Sequence, residues 1–190
     1  MRLFAAIVPP APVLEDLADF TRPRLEAGDT RLRWTMPYQW HLTLAFYEDV
    51  AERHLPELEE RLGRAARRRT AMQVRIAGAG SFPNPAAARV LWCGVRTASE
   101  VQAEELRRLA TGCRAAGAKA GGQVDSGRFT PHVTVARLAR PANVTRWLGV
   151  LSGYEGPEWT ADEATLFASH LGQGVGRRPR YEELGRYALG

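Results

Sequence analysis

Two stretches decide the fold: Trp40-His41-Leu42-Thr43-Leu44-Ala45-Phe46 and Pro131-His132-Val133-Thr134-Val135-Ala136-Arg137. Both alternate polar and apolar residues, the signature of a half-buried strand. Side chains in a strand point alternately to opposite faces. His41 and Thr43 should therefore share one face, with Leu42, Leu44 and Phe46 on the other. In the second stretch His132 and Thr134 stand against Val133 and Val135. The chain has 4 histidines, and two of them open nearly identical strand segments. One copy in each half points to two related lobes.

The flanking sequence fills in an α+β pattern. Leu3 to Val8 reads as a strand stopped by Pro9 and Pro10. Pro12 to Phe20 reads as a helix with Val13, Leu14 and Leu17 on one side, and Glu52 to Arg69 as a second helix with Leu55, Leu58 and Leu62 at helical spacing. Met72 to Ala77 and Val90 to Val95 are strand-like around a turn-rich segment from Gly78 to Pro85. Ser99 with Gln102 forms a capping box for a helix running to Cys113, with Gly117 as its stop. A loop rich in Gly and Ala, 117–127, precedes a strand from His132 to Leu138. Pro141 should open a helix carrying Val144, Trp147, Leu148 and Leu151. Strands over Thr160 to Ser169 and Arg180 to Leu184 close the chain. The short β-runs lack regular helical crossovers, so the pairing should be mostly antiparallel.

Composition bounds the rest. A chain of 190 residues with 45% hydrophobic and 25% charged residues can bury a core, and 1–190 is read as a single domain. No apolar run approaches the roughly 20 residues of a membrane span. The N-terminal apolar run is short and ends in prolines, unlike an export signal, so a cytoplasmic location is expected. Cys93 and Cys113 form no CxxC and are read as buried small hydrophobes. The formal net charge of +5 comes largely from arginine, whose planar fork suits phosphate, so an anionic partner is favoured.

A histidine and a threonine two residues apart stand roughly 6–7 Å apart along a strand, the span of one phosphate. Two such pairs facing each other can grip a phosphodiester, with imidazoles at the attacking and leaving oxygens and hydroxyls at the non-bridging ones. An imidazole titrating near neutrality suits either proton-transfer role, and no metal is required.

His41-Leu42-Thr43-Leu44 and His132-Val133-Thr134-Val135 resemble the two His-x-Thr-x motifs for which the 2H phosphoesterases are named. The flanks resemble the bacterial branch of RNA 2′,3′-cyclic phosphodiesterases, also called 2′-5′ RNA ligases: Arg2-Leu3-Phe4-Ala5-Ala6-Ile7, Trp34, Arg128-Phe129-Thr130-Pro131, Ala136-Arg137, Ser169-His170-Leu171 and Tyr181. The resemblance spans nearly the whole chain. It implies a bilobal fold, two pseudo-symmetric lobes of mostly antiparallel sheet with outer helices around a central groove. It also implies hydrolysis of RNA 2′,3′-cyclic phosphate ends to 2′-phosphomonoesters, with 2′-5′ ligation as the reverse. By this resemblance His41 is the proton donor, His132 the proton acceptor, and Thr43 and Thr134 steady the phosphoryl oxygens. Spacing alone leaves the two histidine roles interchangeable. The family often places Leu-Gly after the aromatic residue of the first motif, whereas Phe46 is followed here by Tyr47-Glu48-Asp49.

Further substrate-binding candidates are Arg128, Phe129, Arg137, Trp34, Tyr181 and Ser169. Alternation sets Arg137 on the Val133 and Val135 face, where a structural ion pair competes with phosphate binding. Phe129 and Trp34 could stack on a base or pack in the core. His54 and His170 are read as surface or supporting residues. No Walker loop, dinucleotide fingerprint or HExxH is present and no close ligand spacing favours a metal enzyme, so no cofactor and no metal are expected. The expected partner is RNA with a 2′,3′-cyclic phosphate terminus, tRNA fragments among the examples, acted on by a monomer. Two other readings stay open: the same site acting on a small nucleotide such as an ADP-ribose cyclic phosphate, and a non-catalytic RNA-binding module. Loss of function on histidine replacement separates the enzyme readings from the module.

Overall fold

The computed structural model describes residues 1–26, 28–125 and 127–190; position 126 of the 117–127 segment lies outside them. The chain is α+β. The main path of one sheet runs β10 (Arg180–Ala188), β9 (Glu163–His170), β1 (Leu3–Ile7), β3 (Leu42–Glu48), β7 (His132–Ala142), β5 (Ala88–Thr97), β4 (Met72–Phe82) and β8 (Glu155–Ala161). The short β2 (Leu32–Trp34) and β6 (Gln123–Val124) pair off this path with β7 and β3. Every pairing among the described residues is antiparallel.

The sheet divides into two four-strand halves at β3 and β7, whose pairing is the single rung Leu42 to Val133. One half, β10-β9-β1-β3, is backed by α2 (Leu55–Ala66) and α3 (Glu100–Lys119), while α1 (Ala11–Glu26) and α4 (Thr145–Leu151) back β8 and β4. The helices cross over reciprocally. α1 leaves β1 yet packs on β8, and α3 leaves β5 yet packs on β3. Leu42, Leu44, Val133, Val135, Leu106, Leu109 and Cys113 are all buried in one apolar cluster, so the face carrying the histidines is the one left open.

Several sequence expectations change for stated physical reasons. α3 runs through Gly117 to Lys119. A Cβ at Gly117 would stand 2.3 Å from the Tyr47 ring, so this glycine serves close helix-to-strand packing and does not stop the helix. The 78–85 turn is displaced, because β4 continues to Phe82 through an irregularity between Ile76 and Ala79 where Gly78 adopts φ +76. Pro141 lies inside β7, and α4 starts at Thr145. The strand expected from Thr160 is two strands, β8 and β9, and β2 and β6 are too short for a periodic signal.

A β-bulge interrupts each histidine strand at the same point. On β3, Ala6 pairs with Thr43 but Ala5 pairs with Ala45, leaving Leu44 as the extra residue. On β7, Trp92 pairs with Thr134 but Leu91 pairs with Ala136, leaving Val135 extra. One extra residue turns every later side chain to the opposite face. Phe46 and Arg137 therefore join the histidine face, correcting the alternation that had set both on the apolar one.

Candidate active site

Counting one residue out from the Leu42 to Val133 rung, antiparallel pairing sets Thr134 across from His41 and Thr43 across from His132. Neighbouring strands and a two-residue rise put the histidines on one diagonal of a four-residue plate, roughly 8 Å long. The threonines occupy the other diagonal. The plate has approximate two-fold symmetry, and a phosphate at its centre would meet one imidazole on either side.

The same local device fixes both imidazoles. His41 Nδ1 lies 2.7 Å from the Gln39 carbonyl oxygen, and His132 Nδ1 lies 2.6 Å from that of Thr130. A carbonyl oxygen only accepts, so each Nδ1 carries the hydrogen and donates it. Nε2 is then the atom left for proton transfer in both rings.

Aromatic packing orients the rings further. Phe4 stacks on His41 at 4.6 Å and 26°, and Tyr181 meets it edge-on at 5.4 Å. On the other side Phe82 is edge-on to His132 at 5.1 Å, and Trp92 is tilted against it at 5.6 Å. Cross-strand register carries the same face outward: Phe4 pairs with Phe167, and Ser169 with Tyr181. Arg2 lies over the Phe46 ring at 4.7 Å.

Electrostatics depress both imidazoles. Burial is the largest cause for His41, joined by the positive fields of His132 and Arg137; together they outweigh the Gln39 bond and push its pKa down to about 4. Burial, then Arg137, also lowers His132 against the opposing effect of the Thr130 bond. Arg137 further opposes the burial that raises the Tyr181 hydroxyl. An anion seated among these groups would offset the positive charge and return protons to the imidazoles.

Of the sequence candidates, the structure brings His41, Thr43, His132, Thr134, Arg137, Tyr181 and Ser169 onto one face. Arg128 and Phe129 line an adjoining cavity of about 290 Å³, together with Thr43, Phe46, Phe82 and His132. Trp34 is corrected. It is buried and edge-on to Trp147 at 5.4 Å, and it pairs with Ala136 on the buried face, which takes it out of the groove. His170 lies outside the cluster, paired with Glu182 at 2.9 Å. His54 sits in the turn preceding α2, with its ring against Gly121.

The sequence reading did not single out Phe4, Phe46, Phe82, Trp92 or Arg114 for the site. Arg114 lines the cavity from α3 and donates to the Gly127 carbonyl at 2.7 Å, holding the loop that carries Arg128 and Phe129. The available signal for Trp92 was its strand mate Gly80, since a glycine opposite a large aromatic marks a ring lying across the backbone. Among the described residues no group of three His, Cys, Asp or Glu side chains is placed to hold a metal ion, and no helix is long and apolar enough to cross a membrane.

Residues 9–173 match the family model described as the 2′-5′ RNA ligase superfamily. An RNA 2′,3′-cyclic phosphodiesterase of Thermus thermophilus is 32% identical over 100% of this chain and 90% of its own. The enzyme of that name from Methanothermobacter thermautotrophicus is 29% identical over 83% and 84%. Among solved structures, E. coli LigT complexed with 3′-AMP superposes with a TM-score of 0.76 at 26% identity, covering 99% of this chain and 97% of LigT. A Thermus thermophilus protein gives 0.76 at 29% identity, covering 100% and 98%.

Proposed function

Starting from the fact that the chain belongs to the 2′-5′ RNA ligase superfamily, we propose that it is an RNA 2′,3′-cyclic phosphodiesterase acting as one bilobal unit. The observation carrying this reading is the plate around the Leu42 to Val133 rung, where two His-x-Thr segments meet and neither Nε2 has a hydrogen-bond partner among the described residues.

In the proposed reaction, water attacks the phosphorus of the cyclic diester and the P–O3′ bond breaks. His132 Nε2 takes the water proton, and His41 Nε2–H delivers a proton to the departing O3′. The products are a 2′-phosphomonoester and a free 3′-hydroxyl. Thr43 and Thr134 hydroxyls donate to the non-bridging oxygens, and Arg137 balances their charge. His41 must hold a proton to act as donor, against a free-site pKa pushed down to about 4. The phosphate anion supplies the compensating field, so donor and substrate arrive charged together. Arg128, Phe129, Tyr181 and Ser169 hold the nucleotides beside the reacting end. With the 5′-hydroxyl of a second RNA in place of water, the same proton transfers open the cyclic phosphate to a 2′-5′ linkage and a free 3′-hydroxyl, a step that can run in either direction. The reading places a monomer in the cytoplasm, working on RNA fragments such as those of tRNA.

The test is turnover of a short RNA ending in a 2′,3′-cyclic phosphate, with EDTA present, in wild type, His41→Ala and His132→Ala. The expected result is a 2′-phosphate product and a loss of at least about 10²-fold in kcat for each variant. Full activity in either variant, or activity that depends on added metal, overturns the mechanism. Turnover of only a small cyclic nucleotide overturns the RNA assignment.

A further inference from the structure

A second cavity, about 850 Å³, lies between α2 and α3 on the side of the sheet away from the histidines. Its walls carry Arg61, Arg64, Arg68, Arg69, Arg108 and Lys119 against one carboxylate, Glu104. Glu57, Glu60 and Glu105, bordering the groove, pair with Arg61, Arg64 and Arg69. Arg68 and Lys119 have no ion-pair partner among the described residues, and both are exposed. The Arg61–Glu57 and Arg64–Glu60 pairs lie toward solvent and are weak, so these two arginines can exchange a carboxylate for a phosphate at little cost, while the half-buried Arg69–Glu105 pair stays in the wall.

The floor consists of small side chains. Ala65, Gly112, Ala115 and Ala116 line it, and the helices approach so closely that a Cβ on Gly112 would stand 3.1 Å from that of Ala65. Protein interfaces centre on aromatic residues and arginine together, and this groove supplies the arginines with no aromatic side chain among them. Arginine forks over a shallow floor suit a run of phosphates instead. From Arg61 to the end of α2 at Ala66 the helix axis advances about 7–8 Å at 1.5 Å per residue, and Arg68 follows in the turn beyond it, so the cations span more than one phosphate.

The groove is joined to the active face by a single turn of α3. Thr111 and Ala115 line the groove, while Arg114 lines the cavity beside His132. A strand leaving the catalytic plate past Arg128 and Arg114 therefore has about one helix diameter, roughly 10 Å, to cross. We propose that the α2–α3 groove binds the sugar-phosphate backbone of the RNA upstream of its cyclic end, so that the substrate is an oligonucleotide chain and not a mononucleotide. This proposal rests on the hydrolase reading for the position of the 3′ end.

The experiment compares two substrates with the same cyclic end, a dinucleotide and an oligoribonucleotide long enough to cross α3. Each is assayed over a salt series with the full chain and with the triple variant Arg64→Gln/Arg68→Gln/Lys119→Gln. Wild type should favour the longer substrate by at least about tenfold in kcat/KM at low salt, and the variant should lose that preference, with its salt slope flattened by about 2 because each single-strand phosphate contact contributes about 0.7. A variant keeping the wild-type preference and slope overturns the proposal. If wild type turns over neither substrate, the hydrolase reading fails and the groove is judged separately. Fluorescence anisotropy with an oligoribonucleotide lacking the cyclic end must then show weaker binding by the variant, and equal binding rules the groove out.

Discussion

Gly80 on β4 and Trp92 on β5 are cross-strand partners, and the indole fills the space a side chain at position 80 would need: a Cβ there would stand 2.1 Å from the ring. Trp92 in turn leans on His132. Gly80→Ala should push the indole toward the imidazole, lowering stability by about 1–3 kcal/mol as other overpacked sites do, and slowing turnover. Thermal unfolding and kcat on a cyclic-ended RNA check this; wild-type Tm and kcat in the variant would refute it.

Thr43 and Thr134 face the opposite histidine across the central rung. Replacing either with valine keeps the shape and removes the hydroxyl. On the proposed mechanism each change lowers kcat by on the order of 10²-fold, with little effect on KM, because the donors matter most as charge builds on the phosphoryl oxygens. An unchanged kcat in both single variants would remove the threonines from catalysis.

Arg137 depresses both imidazoles, so Arg137→Gln should raise both pKa values. The acid limb of the kcat/KM profile should move to higher pH, and KM should rise as the phosphate loses a cation. Imidazole titration by NMR reads the first effect directly, and a downward shift would contradict the proposed placement of Arg137.

The His41 shift also has a stability consequence. Its folded pKa of about 4 lies below an ordinary histidine value of about 6.5, so between these limits the unfolded chain binds a proton that the folded one refuses. Stability should therefore fall as pH drops from about 6.5 toward 4. His41→Gln should unfold with a shallower dependence of Tm on pH through that window. Parallel curves for the two proteins would show that His41 contributes nothing to it.

Both thiols, Cys93 and Cys113, are buried, and burial pushes each up to about 12. Iodoacetamide at mildly alkaline pH should leave the native protein unlabelled and label both cysteines in urea, as read by intact mass. Rapid labelling of the native protein would contradict that burial.

The chemistry was legible in the sequence because a histidine and a threonine stand out in otherwise apolar strands, and because the pattern occurs twice. The second layer of the site was hidden for a specific reason. Leu44-Ala45 and Val135-Ala136 look like ordinary strand residues, and nothing in their side chains announces that both members of each pair are buried. Strict alternation then misassigned Phe46 and Arg137. Gly117 misled in another way: it looks like a helix stop, whereas the Tyr47 ring requiring it lies on β3, 70 positions earlier in the chain. Tertiary contacts of that kind leave no local periodicity to read.

The paired bulges tie the facing of each strand's outer half to one residue that has no cross-strand mate. Flattening the strand with Leu44 still in it would drive Phe46 toward the helices and take the Tyr47 hydroxyl from the Cys113 carbonyl to which it now donates at 3.0 Å. In β7 the same flattening around Val135 would turn the guanidinium of Arg137 into the core. Excising Leu44 or Val135 together with its kink would instead leave every later residue against its present partner. The residue after each threonine thus works as a phase shifter for its strand, and its value lies in being counted more than in its side chain.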